Sequence, residues 1–516
     1  MKKLLLALLS LLLLVGCGSK TSTGLEGTVA TLASDTDINT MDSSVATDGT
    51  SFIAITMCMS GLTQLDENGV PFADLAESWE ISEDKLTYVF NIRDAEWSNG
   101  TKITANDFVY GWDRLTAPET ASDYAFLIDA CHVTNYYADG DDKFVVELST
   151  PCDFLLSLGA FPSFFPLNEE FVVAQGDQYS LSIDNMIYSG PYVMSNWTLG
   201  AEYTFSKNEK YWDAANWTNY ADHVVFKNTQ GQSAILEYES GKLDYVKLTS
   251  EVIDDYADRD DIETYLSGYS WYLSLNLENE FLANENVRKA IAYAINTEEM
   301  CETVLKDGSA ALKGIVSSNF ATNAEGKDYR EIAGTMVLGY DQAKAKELVE
   351  TAKAELGVSE ITLELLYEDS DVTKNVSQYV LNALNEAGFD AKGNVVPKKT
   401  RLQMMQDNNY TMSVHRWGPD YADPQTFLDL FITGASNNYG HYSSEAYDTL
   451  VNKADFGDDA EQRWLDYAAA EKILISEDSV IIPLYQAGNT ALNNKAMSGI
   501  QYHAGGVDNY RHIVIE

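Results

Sequence analysis

The sequence predicts an α/β protein built from more than one domain, and three observations carry that prediction. The chain has 516 residues, more than one hydrophobic core usually organises, so two or three domains are expected. Its 45% hydrophobic and 22% charged residues are ordinary for a globular protein and exclude global disorder. In its second half, strand, helix and strand patterns follow one another, the order of an α/β unit with a mostly parallel sheet.

From the N-terminus, the first segment reads as a targeting signal. Lys2 and Lys3 precede an apolar run over residues 4–15 that only Ser10 interrupts. The run is too short to span a bilayer comfortably. Gly16 before Cys17, with a polar stretch over 18–27 behind it, resembles a bacterial lipobox, a signal whose cysteine is diacylated and becomes the new N-terminus. The expectation is a signal peptide over 1–16, lipid attachment at Cys17 and a tether over 17–27. Such a chain is anchored to a membrane and not threaded through it.

Residues 27–65 mix short strands with a loop over 42–51. Residues 86–92 alternate as a strand does, Leu86, Tyr88 and Phe90 opposing Thr87, Val89 and Asn91. Asn99 and Gly100 supply a turn with positive φ. Thr104 then precedes a helical run over 107–114, with Asp107 three places on as a variant capping box. A β-rich stretch covers 188–211, and residues 272–277 alternate again. The helix that starts at Glu285 gathers Val287, Ala290, Ile291, Ala294 and Ile295 on one face. An amphipathic helix over 341–356, a strand over 361–367 and a helix over 372–387 ending near Gly388 complete the pattern.

The charge balance is acidic, 79 Asp and Glu against 34 Lys and Arg, a formal net charge of -45. Nucleic acid and anionic lipid are repelled by such a chain. A solvated acidic surface is the first explanation, attraction for cationic ligands the second. Beyond Cys17, four cysteines remain: Cys58, Cys131, Cys152 and Cys301. An exported chain permits disulfides, and Cys131 and Cys152 flank a strand pair that a bridge would close. Four buried thiols are the alternative, and both readings stay open. The spacings are not those of a metal site.

Catalytic frames are missing from the sequence: H-E-x-x-H, G-x-S-x-G, the P-loop and the dinucleotide fingerprint. The six histidines include no helical pair with metal-ligand spacing. Aromatic residues are abundant, 9 Trp, 31 Tyr and 19 Phe. They meet carboxylates in the segment HRWGPDYADPQTF at 415–427, where Gly418, Pro419 and Pro424 enforce a loop. Asp420 and Asp423 there sit beside Trp417 and Tyr421. They are either helix-capping aspartates on a surface loop, or a site where a carboxylate meets a ligand ammonium while rings cover apolar groups. On the residues alone the two readings stand level.

A series of blocks breaks the tie. They are AESW at 76–79, LTYVF at 86–90 with Arg93, WSNGT at 97–101, TANDFVYGW at 104–112, SGPY at 189–192, NEKYW at 208–212, LN at 275–276, VRKA at 287–290 and NN at 437–438. In this order and spacing the chain resembles extracellular solute-binding proteins of family 5, the peptide, dipeptide and nickel class of ABC importers, and most of all its oligopeptide-binding members. The resemblance implies a two-lobe periplasmic-binding-protein fold of type II with an additional domain inserted in the first lobe. Lobe I would comprise 28–59, 189–270 and 486–516, the inserted domain 60–188, and lobe II 271–485. An extended ligand would lie between the lobes, its backbone paired with protein strands and its side chains in roomy, hydrated pockets.

By the same resemblance, Asp420 would bind the peptide α-ammonium. Trp417, Gly418 and Tyr124 would line the cleft, and Tyr485 would stand near hinge and cleft. Thr47, Asp48 and Gly49 would form a loop pairing with the peptide backbone. The positions that supply cations for the peptide C-terminus in the family are here Thr373, Met405 and Val414, and a matching aromatic is Lys398. That clamp is therefore absent, moved, or made by Lys306, Lys398 or Arg401. The implied partners are short peptides and the permease and ATPase subunits of an importer, with a membrane contacted through the lipid anchor alone, no nucleic acid, no cofactor and no metal. The chain would act as a monomer on the outer face of a bacterial cell membrane, and not as an enzyme. The rival roles are a peptide-pheromone receptor, a nickel or metal-chelate binder of the same fold, and a surface hydrolase.

Overall fold

The computed structural model describes residues 24–323, 326–457 and 459–516. The signal segment 1–16, Cys17 and the tether up to residue 23 lie outside the described residues. Among those described, no helix is long and apolar enough to cross a membrane.

The architecture is mixed α/β. Its largest sheet runs, neighbour to neighbour, through Asp390–Val396, Thr362–Glu368, Met412–Trp417, Ile262–Leu275, Ile481–Asn493, Tyr245–Lys247, Val29–Ser34, His223–Asn228, Glu202–Lys207 and Tyr192–Thr198. Ala310–Ala311 adds to the side of Ile481–Asn493. In the second half, where the strand–helix–strand order suggests a mostly parallel sheet, the three outer strands are parallel and the two long strands beside them are not. Thr362–Glu368 pairs in parallel with Asp390–Val396 and Met412–Trp417, but Met412–Trp417 lies antiparallel to Ile262–Leu275, and that strand antiparallel to Ile481–Asn493. The reason is connectivity. Helix crossovers make parallel neighbours only where the chain returns through a helix, whereas these two long strands carry the chain from one end of the sheet to the other.

Of these strands, Ile262–Leu275 runs beside Ile481–Asn493 on both sides of a bulge, Ile262 to Leu266 opposite Leu492 to Gly488 and Ser270 to Ser274 opposite Gln486 to Ile481. Beyond the bulge it gains a second neighbour, with Ser270 to Leu275 opposite Trp417 to Met412. At the bulge, made of Ser267, Gly268 and Tyr269, the register slips from Leu266 to Ser270.

The helices follow their sequence signals. Thr104 N–H donates to Asp107 Oδ2 at 2.7 Å at the start of Ala105–Thr116. Glu285–Ala294 buries Val287, Ala290, Ile291 and Ala294. Gln342–Leu356 is capped by Asp341, and Asp371–Ala387 stops at Gly388. The loop expected over 42–51 is shorter. The Asp48 carboxylate accepts from Ser51 N at 3.0 Å, so a helix, Gly49–Cys58, begins there and buries most of its residues.

A separate four-stranded antiparallel sheet, in the order Ala76–Ile81, Thr87–Ile92, Lys143–Leu148 and Val133–Ala138, carries the helix Ala105–Thr116. Trp112 meets Phe144 edge-on at 5.0 Å there. Cys131 and Cys152 form a disulfide across the hairpin of the last two strands, and Cys58 and Cys301 are buried thiols. The residues beside the bridge reach toward the 421–467 region. His132 Nε2 lies 3.2 Å from the Asp455 carbonyl, Asp153 pairs with Arg463 at 2.8 Å, and Phe154 stacks on Tyr421 at 4.0 Å. A bridge with sequence separation 21 is worth about 3 kcal/mol. The Cys131→Ser/Cys152→Ser double variant is expected to lower the urea midpoint accordingly, and an unchanged midpoint would refute that assignment of stability.

Several ion pairs are buried, among them Arg511 with Asp74, Arg463 with Asp423, and Arg330 with Glu471. Glu471, with no exposed surface, faces Arg330 at 2.7 Å. Its carboxylate also accepts from the backbone N–H groups of Ile315 and Val316, while the guanidinium donates to the carbonyls of Val316 and Gly334.

Candidate ligand-binding site

The segment 417–423 divides its labour. Trp417, Gly418, Pro419 and Asp420 line a cavity of about 350 Å³. Tyr421 turns away onto Phe154. Asp423 is buried, accepts from Gln425 N at 3.0 Å and pairs with Arg463, so of the two aspartates it is the one with a structural role. Thr426 organises the turn: its hydroxyl accepts from Asp420 N at 3.3 Å and from Trp417 Nε1 at 3.4 Å.

Opposite, Thr47, Gly49, Phe52 and Ile53 come from the capped helix and the residues before it, joined by Tyr124 and Phe161. Phe52, Tyr124 and Phe161 form a wall of rings whose centroids are 5.1–5.6 Å apart. The bulge residues Ser267, Gly268 and Tyr269 and a loop including His503, Ala504 and Asp508 close the chamber.

Burial pushes the Asp420 carboxyl up to about 7, against the opposing effect of a hydrogen bond from Tyr124. Burial, and then the Asp420 charge, in turn raise Tyr124, which keeps its proton and remains a donor. A carboxyl held this way is poorly solvated when ionised, and an incoming ammonium would relieve that cost.

Six residues expected at the site line this cavity: Asp420, Trp417, Gly418, Tyr124, Thr47 and Gly49. Asp48 is not among its lining residues, since its carboxylate is engaged in capping the helix. Tyr485 is not either. It is buried against Trp271, ring centroids 5.6 Å apart, in the core beside the crossing strands. Lys306, Lys398 and Arg401 also lie off the cavity lining. Lys306 pairs with Asp254, Lys398 is exposed, and Arg401 is buried against Glu368 and His415. Burial, then the Arg401 charge, push His415 down to about 3, so its neutral ring can accept from that guanidinium at 2.9 Å.

Two lining segments escaped sequence reading. Residues 267–269 interrupt a strand whose alternation is legible only from 272 onward. Residues 503–508, HAGGVD, carry the same mark as 415–427, glycines and a carboxylate between aromatics, and could have been found by it. Gly268 is tightly held: a Cβ there would stand 1.7 Å from the Ala504 carbonyl oxygen and 2.8 Å from Pro419. Gly268→Ala is therefore expected to push apart the segments that close the cavity, weakening ligand affinity at least tenfold. Equal affinity in titration calorimetry would contradict that role.

Crossing strands, a ring-lined chamber and two carboxyls raised by burial, Asp420 and Asp508, suit a protein that captures a solute between two lobes. The chain belongs to the bacterial extracellular solute-binding proteins, family 5, whose middle-region model matches residues 71–439. It is 33% identical over 536 residues to a dipeptide-binding protein of Lactococcus lactis, covering 97% of this chain and 96% of that one. Among solved structures it is similar to Listeria monocytogenes OppA bound to peptide, with TM-score 0.79, 33% identity and coverage of 95% and 99%. It is also similar to the pheromone receptor PrgZ, with TM-score 0.80, 29% identity and coverage of 95% and 100%. Among the described residues, no group of three or more His, Cys, Asp or Glu is placed to hold a metal ion.

Proposed function

We propose that this chain is the extracytoplasmic, substrate-binding subunit of an ABC importer, held to the outer face of the membrane through Cys17, and that it captures short peptides and delivers them to a permease–ATPase complex. The observation that carries this reading is Asp420, a carboxyl raised to about 7 within a chamber walled by Phe52, Tyr124, Phe161 and Trp417. It offers a charge-assisted partner to a peptide α-ammonium, and the rings offer cover to varied side chains. The similarity to a dipeptide-binding protein and to an oligopeptide-binding protein holding its peptide supports the substrate class. In this reading the main chain near Trp417 and the 267–269 bulge pairs with the ligand backbone. The crossing strands act as the hinge between lobe I (28–59, 189–270, 486–516) and lobe II (271–485), with 60–188 inserted, and ligand contacts to both lobes favour the closed form. The protein works as a monomer, without cofactor and without catalysis.

Native mass spectrometry of the protein lacking residues 1–17, followed by sequencing of released ligand, tests this. A mixture of short peptides is the expected result. A single defined peptide would instead favour a signalling receptor, the reading to which the likeness to PrgZ points. A metal adduct, or product formation from added peptide, would overturn the proposal.

A further inference from the structure

The loop 503–508, HAGGVD, brings a second acid to the chamber. The loop is closely packed: a Cβ on Gly505 would stand 3.0 Å from both Ala422 and the Phe320 carbonyl oxygen. His503 pins it at both ring nitrogens, Nδ1 lying 2.9 Å from the Val507 carbonyl and Nε2 2.8 Å from that of Asp66. Asp508 closes it, one carboxylate oxygen accepting from His503 N at 3.1 Å.

That bond engages only part of the carboxylate, which offers two oxygens and about four acceptor sites. Among the described residues nothing donates to the second oxygen, and no cation stands within ion-pair distance of it. Burial pushes the carboxyl up, and exposed Lys247, pulling from further away, does not offset this. The chamber lining offers no partner either. Among the described residues it contains no lysine or arginine, and its one histidine is His503, already engaged. Asp420 and Asp508 therefore line one space, and a single peptide ammonium can neutralise only one of them. In the division proposed above, Asp420 belongs to lobe II and Asp508 to lobe I.

We propose that Asp508 receives a second cationic group of the ligand, the side chain of a lysine or arginine, while Asp420 holds the α-ammonium. This rests on the peptide reading and gives it a sequence preference, for a basic residue close enough to the N-terminus to share the chamber. Each buried acid then gains an opposite charge. The aliphatic stem of the basic side chain packs against the rings of the wall while its charged end reaches the carboxylate. A ligand with both cations also ties the two lobes together, which favours the closed form. If Asp508 served only to close its loop, an asparagine would do as well, because the amide oxygen also accepts from His503 N.

Titration calorimetry with alanine tripeptides that carry lysine or norleucine at one position at a time tests the assignment. Norleucine keeps most of the stem and lacks the charge. At one position the parent protein is expected to prefer lysine at least about tenfold, and Asp508→Asn should shrink that ratio to below about twofold. Asp508→Glu, which keeps the charge on a longer stem, should retain part of the preference. The ratio cancels any loss common to both peptides, and a melting curve of each variant checks its folding. Equal affinity for lysine and norleucine at every position in the parent overturns the inference. So does a preference that passes undiminished into Asp508→Asn or Asp508→Glu. Either result, obtained while N-acetylation of the peptide still abolishes binding, spares the peptide reading. Failure of the parent protein to bind any of these peptides sinks both.

Discussion

Asp420→Asn is expected to weaken binding of an unblocked alanine peptide by about 10- to 150-fold, the equivalent of roughly 1.5–3 kcal/mol for a charge-assisted hydrogen bond in an enclosed site. The parent protein should show a distinctive pH profile. Below about pH 7 the empty-site carboxyl takes up its proton, and affinity falls as an ammonium has to displace it. Above about pH 8 the peptide amine itself loses its charge. Affinity therefore peaks between these limits, and the asparagine variant loses the acid limb. Stability runs the other way. The folded carboxyl holds its proton more tightly than an ordinary carboxylate, so its contribution is full below about pH 4 and is lost as pH rises through 7. Unliganded Asp420→Asn should thus melt above the parent at pH 8, with the difference vanishing near pH 4. A variant that binds as the parent does, or melts below it at pH 8, would remove Asp420 from this role.

Arg330→Met is expected to cost about 3–5 kcal/mol, measured as a loss in the urea unfolding midpoint of the transition that reports this region. The reason lies in what stays behind. Glu471 would remain fully buried, its charge uncompensated, with only the Ile315 and Val316 amides and the Tyr329 hydroxyl near it. Glu471→Gln should cost less, since an amide oxygen can still accept from those amides. Replacing both Arg330 and Glu471 with methionine should restore part of the loss. The prediction fails if Arg330→Met unfolds within about 1 kcal/mol of the parent.

Much of the fold is legible because its helices announce themselves locally. Asp341 and Thr104 each stand where a cap is needed, and apolar spacing behind such positions shows which face will be buried. Asp420 and Trp417 are legible because a carboxylate, rings and loop-forming prolines coincide in one short segment. The sheet is harder to read. Alternation reveals that residues 272–277 form a strand but not that the strand begins at Ile262 and breaks its register at 267–269, because a bulge is set by two partners far away in sequence. For the same reason the resemblance places Tyr485 near hinge and cleft, and only the structure shows it packed in the core beside the crossing strands. Its position depends on Trp271, and nothing near it in the chain encodes that stacking.

The bridge between Cys131 and Cys152 bears on how long a captured solute is kept. His132 follows one cysteine and Asp153 follows the other, and each touches the far side of the chamber's surroundings, at Asp455 and Arg463. Covalently joined, the two contacts share one rigid mount, so the jaw they belong to swings as a single piece. A fluctuation that loosens one contact is thereby mechanically tied to the other, and opening on that side is expected to be concerted. A concerted opening would lengthen the time a captured solute is kept, which suits a protein that has to hold a scarce solute through many encounters before one of them is productive.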